Sequence, residues 1–211
     1  MTRRGKLLGL LLMGSLALVL GWVLGEQLFR RPNPPPDIAG IYLPDAQPLP
    51  AFHLIHHSGR PFTGDDLLGH WTFLYLGYSY CPDVCPLALV DLNRLQQRLA
   101  AAGADSDVAY LFVSVDPQRD TPERLREYVT YFNPKFQGAT GSAEALSPLI
   151  KALHAFYQRV ENPDDPEHYT MDHTATISLI DPQGRLRAIF TPPQDPKRMA
   201  ADFLKIRAAA P

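Results

Sequence analysis

Between Trp71 and Tyr78 the chain reads W-T-F-L-Y-L-G-Y, with no charged residue and almost nothing polar. A short continuous apolar run of this kind suits a strand buried on both faces, in a sheet covered by helices on each side. S-Y-C-P-D-V-C-P follows directly, and then a stretch from Pro86 to Ala101 with Leu89, Leu92, Leu95 and Leu99 at helical spacing, closed by Gly103. That pattern predicts an amphipathic helix with a C-terminal stop. A buried strand feeding such a helix is the building unit of α/β proteins and rules out an all-helical or all-β architecture.

The remaining elements follow the same logic. Val108–Val115 is a second buried strand, and Thr121-Pro122-Glu123 is a cap, a proline and an acid that open a helix running to about Phe132. Phe136–Ala139 is a short strand candidate. Ser142 caps a helix expected to reach about Tyr157, with Pro148 kinking or splitting it. Thr176–Ile180 and Arg185–Phe190 flank the turn Asp181-Pro182-Gln183-Gly184 as an antiparallel pair, and Asp195-Pro196 starts the last helix. Upstream, Ala51–His57 alternates with Phe52, Leu54 and His56 on one side, and Ser58-Gly59 supplies a turn, so an N-terminal β-hairpin extension is expected. Strand, helix, strand, helix, hairpin and terminal helix is the order of a thioredoxin-like α/β fold, a mixed central sheet flanked by helices.

The N-terminus is of another kind. Arg3, Arg4 and Lys6 precede an uncharged run from Leu7 to Gly25, long enough as a helix to cross a bilayer core of roughly 30 Å. The run exceeds a usual signal-peptide core, and no A-x-A cleavage site follows it, so an uncleaved transmembrane helix is expected rather than a removed leader. The charge order leaves the first residues in the cytoplasm and everything after the helix outside. The expected division is 1–6 cytoplasmic, 7–28 transmembrane anchor, 29–50 proline-rich linker and 51–211 folded domain, with the protein single-pass in the inner (cytoplasmic) membrane and its soluble domain on the periplasmic side. The linker holds much of the chain's high proline content, 21 residues in 211. A net charge of -2 offers no basic field for a nucleic-acid backbone, so no nucleic-acid partner is expected.

The only 2 cysteines, Cys81 and Cys85, stand where the central strand gives way to the helix. Chemistry in open α/β sheets gathers at such strand ends. With Pro86 as first helical residue, Cys85 falls near the helix cap, where free amides and the macrodipole favour thiolate, so both sulfurs are expected to be more acidic than free cysteine. Three residues separate the pair, against two in thioredoxin-like redox motifs, which leaves room for an ion without forbidding a disulfide. A structural bridge over so small a loop would remove little unfolded-state entropy.

Three blocks, G-Y-S-Y-C-P-D-V-C-P, S-V-D-P-Q-R-D-T-P from Ser114 to Pro122, and M-D-H-T-A from Met171 to Ala175, resemble the Sco/SenC family of copper-binding cytochrome c oxidase assembly proteins. The similarity spans about Phe52 to Phe203. It implies a thioredoxin-like domain outside a membrane that binds Cu(I) or Cu(II) through Cys81, Cys85 and His173 and helps to assemble the oxidase's dinuclear copper centre. Two soft thiolates and an imidazole suit Cu(I); zinc would accept the same set but prefers a fourth protein ligand in a structural site. On residue logic alone His173 competes with six other histidines. His53, His56, His57 and His70 are expected at the surface or strand edges, His154 in a helix, and His168 is a rival on the same loop. Met171 is expected in the core, Asp172 either beside the imidazole or in solvent, and Asp83, Asp116 and Asp120 in structural roles.

Two functions fit. One is a copper metallochaperone that hands its ion to the copper-accepting subunit of cytochrome c oxidase, with a thioredoxin-like reductase keeping its thiols open. The other is a thiol-disulfide oxidoreductase in which Cys81 and Cys85 are the redox pair that reduces the subunit's copper-ligand cysteines. A copper or redox sensor could share the same site, whereas a peroxidase is disfavoured by Tyr78, Ser79 and Tyr80 before Cys81. The histidine separates the first two readings, because a redox couple does not require it.

Overall fold

The computed structural model describes residues 13–15, 18–22, 25, 35–162 and 169–210. Two units are separate, Met1–Pro34 and Pro35–Pro211. In the first, the described residues are helical, and Met13, Leu18, Val19, Leu20 and Trp22 are exposed. No helix among the described residues is long and apolar enough to cross a membrane, and most of the expected 7–28 anchor lies outside the described residues.

The second unit is a thioredoxin-like α/β domain. Its strands are β1 (Ile41–Pro48), β2 (His53–His56), β3 (Pro61–Thr63), β4 (Trp71–Gly77), β5 (Val108–Ser114), β6 (Gln137–Thr140), β7 (Tyr157–Val160), β8 (Thr170–His173), β9 (Ile177–Ile180) and β10 (Arg185–Phe190). The helices are α1 (Val84–Ala101), α2 (Pro122–Phe132), α3 (Ala143–Ala152) and α4 (Pro196–Ala209). Eight strands form one mixed sheet in the order β1-β10-β9-β4-β5-β6-β2-β3, and β7 and β8 form a separate ribbon. β4 runs parallel to β5 and antiparallel to β9, and every one of its residues is buried.

Alternation along β4 explains the core. Trp71, Phe73 and Tyr75 share one face. There Trp71 and Phe73 meet Phe203 of α4, Phe73 stacks on Tyr110, and Tyr75 lies beside Phe112. α1 buries Ala88, Leu89, Leu92, Leu95 and Leu99, the face expected from leucine spacing. Parallel crossovers from β4 through α1 to β5, and from β5 through α2 to β6, bring the C-terminal ends of β4 and β5 and the starts of α1 and α2 to the same edge of the sheet.

Three regions differ from the sequence expectation. Ile41–Pro48, inside the stretch expected to be linker, is strand β1 on β10, with an irregular register between Tyr42 and Gln47. Proline is tolerated there because an edge strand leaves one side of its backbone unpaired. Arg187, itself buried, extends its guanidinium to the carbonyl oxygens of Leu43 and Pro44 while pairing with buried Asp181 at 2.9 Å. α3 keeps Pro148 within it but stops at Ala152, and His154, expected inside it, has φ 52° in the left-handed region. That backbone ends the helix and frees Tyr157–Val160 to become β7. The N-terminal hairpin is present, with Phe52, Leu54 and His56 buried on one side, but His56 stacks against Phe62 in the interior instead of lying at the surface.

A chain beginning at Pro35 retains β1, whereas one beginning at Leu49 lacks it and strips two carbonyl acceptors from Arg187. We expect the shorter chain to be less stable by about 2–4 kcal/mol, measured as a lower urea midpoint than that of the longer chain.

Candidate metal centre

The site begins where β4 ends. Tyr78 accepts a hydrogen bond from the Cys81 amide at 3.2 Å, turning the chain, and Asp83 is the N-cap of α1. The helix therefore starts at Val84, two residues before the expected Pro86. Cys85 lies in its first turn, where backbone amides have no helical partner, and is fully buried, while Cys81 is half-buried at the rim.

The Cys85 sulfur reaches its place only because residue 77 is glycine. A Cβ there would stand 2.8 Å from that sulfur and 2.9 Å from the Phe112 ring. Sequence reading treated Gly77 as part of an apolar strand and missed this role; a glycine closing an otherwise bulky run was the available signal.

His173 arrives from the other side of the fold. It is not on a loop, as expected, but ends β8, paired with Tyr157 of β7. Strand alternation turns Met171 and His173 inward and Asp172 outward. Thr174 continues the ribbon, donating from its amide to Phe156 and accepting the Phe156 amide on its hydroxyl, each at 3.0 Å. The imidazole stands edge-on to both Tyr75 and Tyr78, with ring centroids 6.0 and 5.9 Å away. Its Nδ1 lies 3.2 Å from the Thr174 carbonyl oxygen, a contact that calls for a proton on Nδ1 and leaves the Nε2 lone pair free.

That Nε2 is 3.4 Å from the Cys85 sulfur, and the ligand atoms of Cys81, Cys85 and His173 all lie within 4.8 Å of one another. This is the one such cluster among the described residues. His53, His56, His57, His70 and His154 do not join it, and His168 lies outside the described residues. The two thiols are not bridged.

The expectation that both sulfurs are acidic holds for one of them. A hydrogen bond from Cys85 is the main cause that draws the Cys81 thiol well below the ordinary range, and the Asp83 and Cys85 amides add to it against the cost of burial. The Cys85 thiol moves up, because its proton is held against the Cys81 sulfur and because it is buried. The two behave as one coupled pair sharing a proton. Such a pair takes up an ion only by releasing that proton.

The loop carrying Cys81 is clamped from below. Buried Asp120 accepts the Ser79 amide at 2.9 Å, the Ser79 hydroxyl at 2.5 Å and the Ser114 hydroxyl at 2.6 Å, and Arg124 donates to Ser79 at 3.1 Å. Burial raises the Asp120 carboxyl, and the hydrogen bonds from Ser114 and Ser79 only partly offset it. Asp116 accepts the Tyr169 hydroxyl at 2.7 Å and pairs with Arg119, whose guanidinium lies over the Tyr169 ring at 3.6 Å and the Tyr80 ring at 4.9 Å. These acids brace the loops, as expected. Asp172 is exposed, which leaves it the solvent role of the two considered.

Fold and site together define a thioredoxin-like domain with a two-cysteine, one-histidine cluster at the C-terminal end of its central strand. The SCO1/SenC family model matches residues 43–208, and the chain belongs to that family. A SCO2-like protein of Rickettsia conorii is 35% identical over 154 residues, covering 73% of this chain and 74% of that one. Human mitochondrial SCO1 homolog is 36% identical over 139 residues, 66% of this chain and 46% of the human one. Among solved structures, Arabidopsis thaliana ScoI with copper bound superposes with a TM-score of 0.71 at 31% identity, covering 76% of this chain and 98% of that one. Yeast Sco1 with copper bound gives a TM-score of 0.72 at 28% identity over 78% and 91% of the respective chains.

Replacing Gly77 with alanine forces Cys85 or Phe112 to move, and we expect a loss of about 1–3 kcal/mol in thermal unfolding. Asp120→Ala strands three donors and is expected to cost about 2–4 kcal/mol, whereas Asp120→Asn retains most of the stability; denaturant titration distinguishes the two. Asp120 also has a signed pH dependence. Its folded pKa is raised, so its contribution is full below the unfolded carboxylate range and lost as pH rises through the folded value. Flattening of that part of the stability-pH curve in Asp120→Asn is the check.

Proposed function

We propose that the protein is a copper metallochaperone in which Cys81, Cys85 and His173 hold one copper ion destined for the copper-accepting subunit of cytochrome c oxidase. The observation that carries this reading is the convergence of three soft or intermediate donors within 4.8 Å, from two separate parts of the fold. The donor set fits: two sulfurs and one imidazole nitrogen suit Cu(I), and no fourth histidine, cysteine or carboxylate joins them among the described residues to favour a structural zinc. Copper-bound relatives of the same fold support it, and family membership supports the oxidase as destination.

The three ligands are unequal, and that inequality gives an order to transfer. Cys85 is fully buried and His173 is anchored through Nδ1, while Cys81 sits at the rim. Cys81 is therefore the sulfur that an incoming thiolate replaces first, with Cys85 and His173 retaining the ion until the partner supplies further ligands. Tyr80, Val84 and Leu87 expose apolar surface around this rim for a partner to cover. A thioredoxin-like reductase would keep the thiols open outside the cytoplasm. Residues 7–28 would anchor the chain in the inner membrane, with 1–6 cytoplasmic and the folded domain periplasmic. The exposed apolar residues of the first unit support this, and the linker would end before Ile41 rather than at Pro50.

The second reading, reduction of the subunit's copper-ligand cysteines, draws support from the shared proton of the cysteine pair, which provides a nucleophilic sulfur at the rim and a protonated one behind it. Titration of the reduced chain with Cu(I) separates the two. Cys81→Ser, Cys85→Ser and His173→Ala are each expected to weaken binding by more than the ~10–100-fold that follows loss of an outer partner. If His173→Ala keeps both copper affinity and oxidase assembly, the chaperone reading fails and the reductase gains.

A further inference from the structure

His173 is carried by a ribbon that is separate from the main sheet, so sheet hydrogen bonds do not fix where that ribbon sits on the domain. Side chains have to do so. Strand alternation puts Tyr169, Met171 and His173 on one face, and Tyr169 and Met171 are buried. Tyr169 immediately precedes β8 and is held on three sides. Its hydroxyl donates to Asp116 at 2.7 Å, its carbonyl oxygen accepts from Arg119 at 3.0 Å, and the Arg119 and Arg159 guanidiniums lie 3.6 and 3.7 Å from its ring centre.

Arg119 belongs to the β5–α2 connection, the segment whose Asp120 also holds Ser79. Its side chain meets both halves of the site. The Nε pairs with Asp116 and one terminal nitrogen donates to Tyr169, while the guanidinium lies 5.6 Å from the Tyr78 ring centre and 4.9 Å from that of Tyr80, both on the cysteine loop. Guanidinium–ring contacts within about 6 Å are attractive. The other terminal nitrogen is buried without a hydrogen-bond partner, an unfavourable placement that the surrounding rings offset. Serving a carboxylate, a carbonyl and several rings at once requires a planar fork with a flat face, which an ammonium group lacks.

We propose that Arg119 is a positioning residue that sets the separation between His173 and the two sulfurs by joining the start of β8 to the cysteine loop. It makes no contact with the ion and acts through the imidazole. With the ribbon seated in advance, copper binding does not have to order it, and the affinity that ordering would consume is kept. This inference rests on the copper reading above and adds a residue outside the donor set.

The test uses the full chain with Arg119→Lys, which keeps the charge and loses the fork. Arg187→Lys is the comparison, a buried arginine whose partners are Asp181 and the carbonyls of Leu43 and Pro44. In the reduced, metal-free chain, Arg119→Lys is expected to speed hydrogen exchange of the β7 and β8 amides and to leave that of β4 and α1 unchanged. On titration with Cu(I) it is expected to weaken binding roughly tenfold, as loss of an outer partner does, and in the Cu(II)-loaded chain to diminish the imidazole nitrogen coupling in the electron paramagnetic resonance spectrum. In a His173→Ala background it is expected to have no further effect on Cu(I) affinity, because the group it positions is gone. Tyr169→Leu is expected to give the same pattern and serves where Arg119→Lys does not fold. Arg187→Lys is expected to lower the thermal midpoint and to leave affinity and coupling in place. Unchanged exchange in the ribbon, a loss of affinity that persists in the His173→Ala background, or an equal loss in Arg187→Lys would overturn the proposal. Absence of Cu(I) uptake by the unaltered chain would instead defeat the copper reading itself, and the positioning role with it, even where exchange in the ribbon responds as expected.

Discussion

The metal centre depends on the contact between the Cys85 sulfur and the backbone of Gly77. β4 is buried along its whole length, so its end cannot shift to make room for a bulky neighbour. α1 begins after the short loop 78–83 and places its first buried side chain, Cys85, against that strand end. With a glycine there, a sulfur fits in direct contact with backbone; any Cβ would collide with it. The position of Cys85 follows from core packing, and the loop holding Cys81 then has few residues in which to bring the second sulfur alongside. Asp120 removes the remaining freedom by taking three hydrogen bonds from Ser79 and Ser114, which ties the cysteine loop to the β5–α2 connection.

The histidine is supplied by a different mechanism. Its ribbon, β7 with β8, lies outside the main sheet and takes its register from pairing between Tyr157 and His173 and from the Phe156–Thr174 contacts that follow. Tyr75 and Tyr78, on either side of Gly77, provide the two edge-on ring contacts that orient the imidazole. The candidate donors Cys85 and His173 are thus joined through one short stretch of β4 and the residue after it: Gly77 receives a sulfur, and Tyr75 and Tyr78 receive the imidazole.

Much of this order was legible in the sequence because buried strands and amphipathic helices leave strong periodic signals. β4, α1, β5, α2 and the β9–β10 hairpin fall close to their expected bounds. The misses have physical causes. β1 carries two prolines and an irregular register, and Arg187 reaches its carbonyls from β10, an interaction with no local signature. β7 has no counterpart in the expectation, whose helix runs on to about Tyr157, because the break at His154 is a left-handed backbone turn at a non-glycine residue. The cysteine pair could be placed by spacing and position, but the inward direction of His173 depends on ribbon pairing across a sequence gap, so its assignment rested largely on family resemblance. Gly77 carried no motif; its role appears only when the Cys85 sulfur has a location.

Cys81 and Cys85 are close together in sequence, yet the fold gives them opposite surroundings. Cys85 is enclosed by β4, α1 and the His173 imidazole, so its sulfur is protected from solvent and its proton is held in place; Cys81 lies at the rim with a sulfur that readily loses its proton. A symmetrical exposed pair would lose its ion, or oxidise, from either side. A fully buried pair would bind and not release. In the proposed transfer, one anchored sulfur and one accessible sulfur, with an imidazole whose tautomer is set by Thr174, would let a partner's ligand enter at one defined point while the other two donors hold on. The same asymmetry would serve thiol exchange, in which the rim sulfur attacks and the buried one resolves. The imidazole supports the proposed metal transfer over thiol exchange: a strand pair, two tyrosine rings and a backbone carbonyl hold its Nε2 beside the two sulfurs, a structure that disulfide exchange does not require.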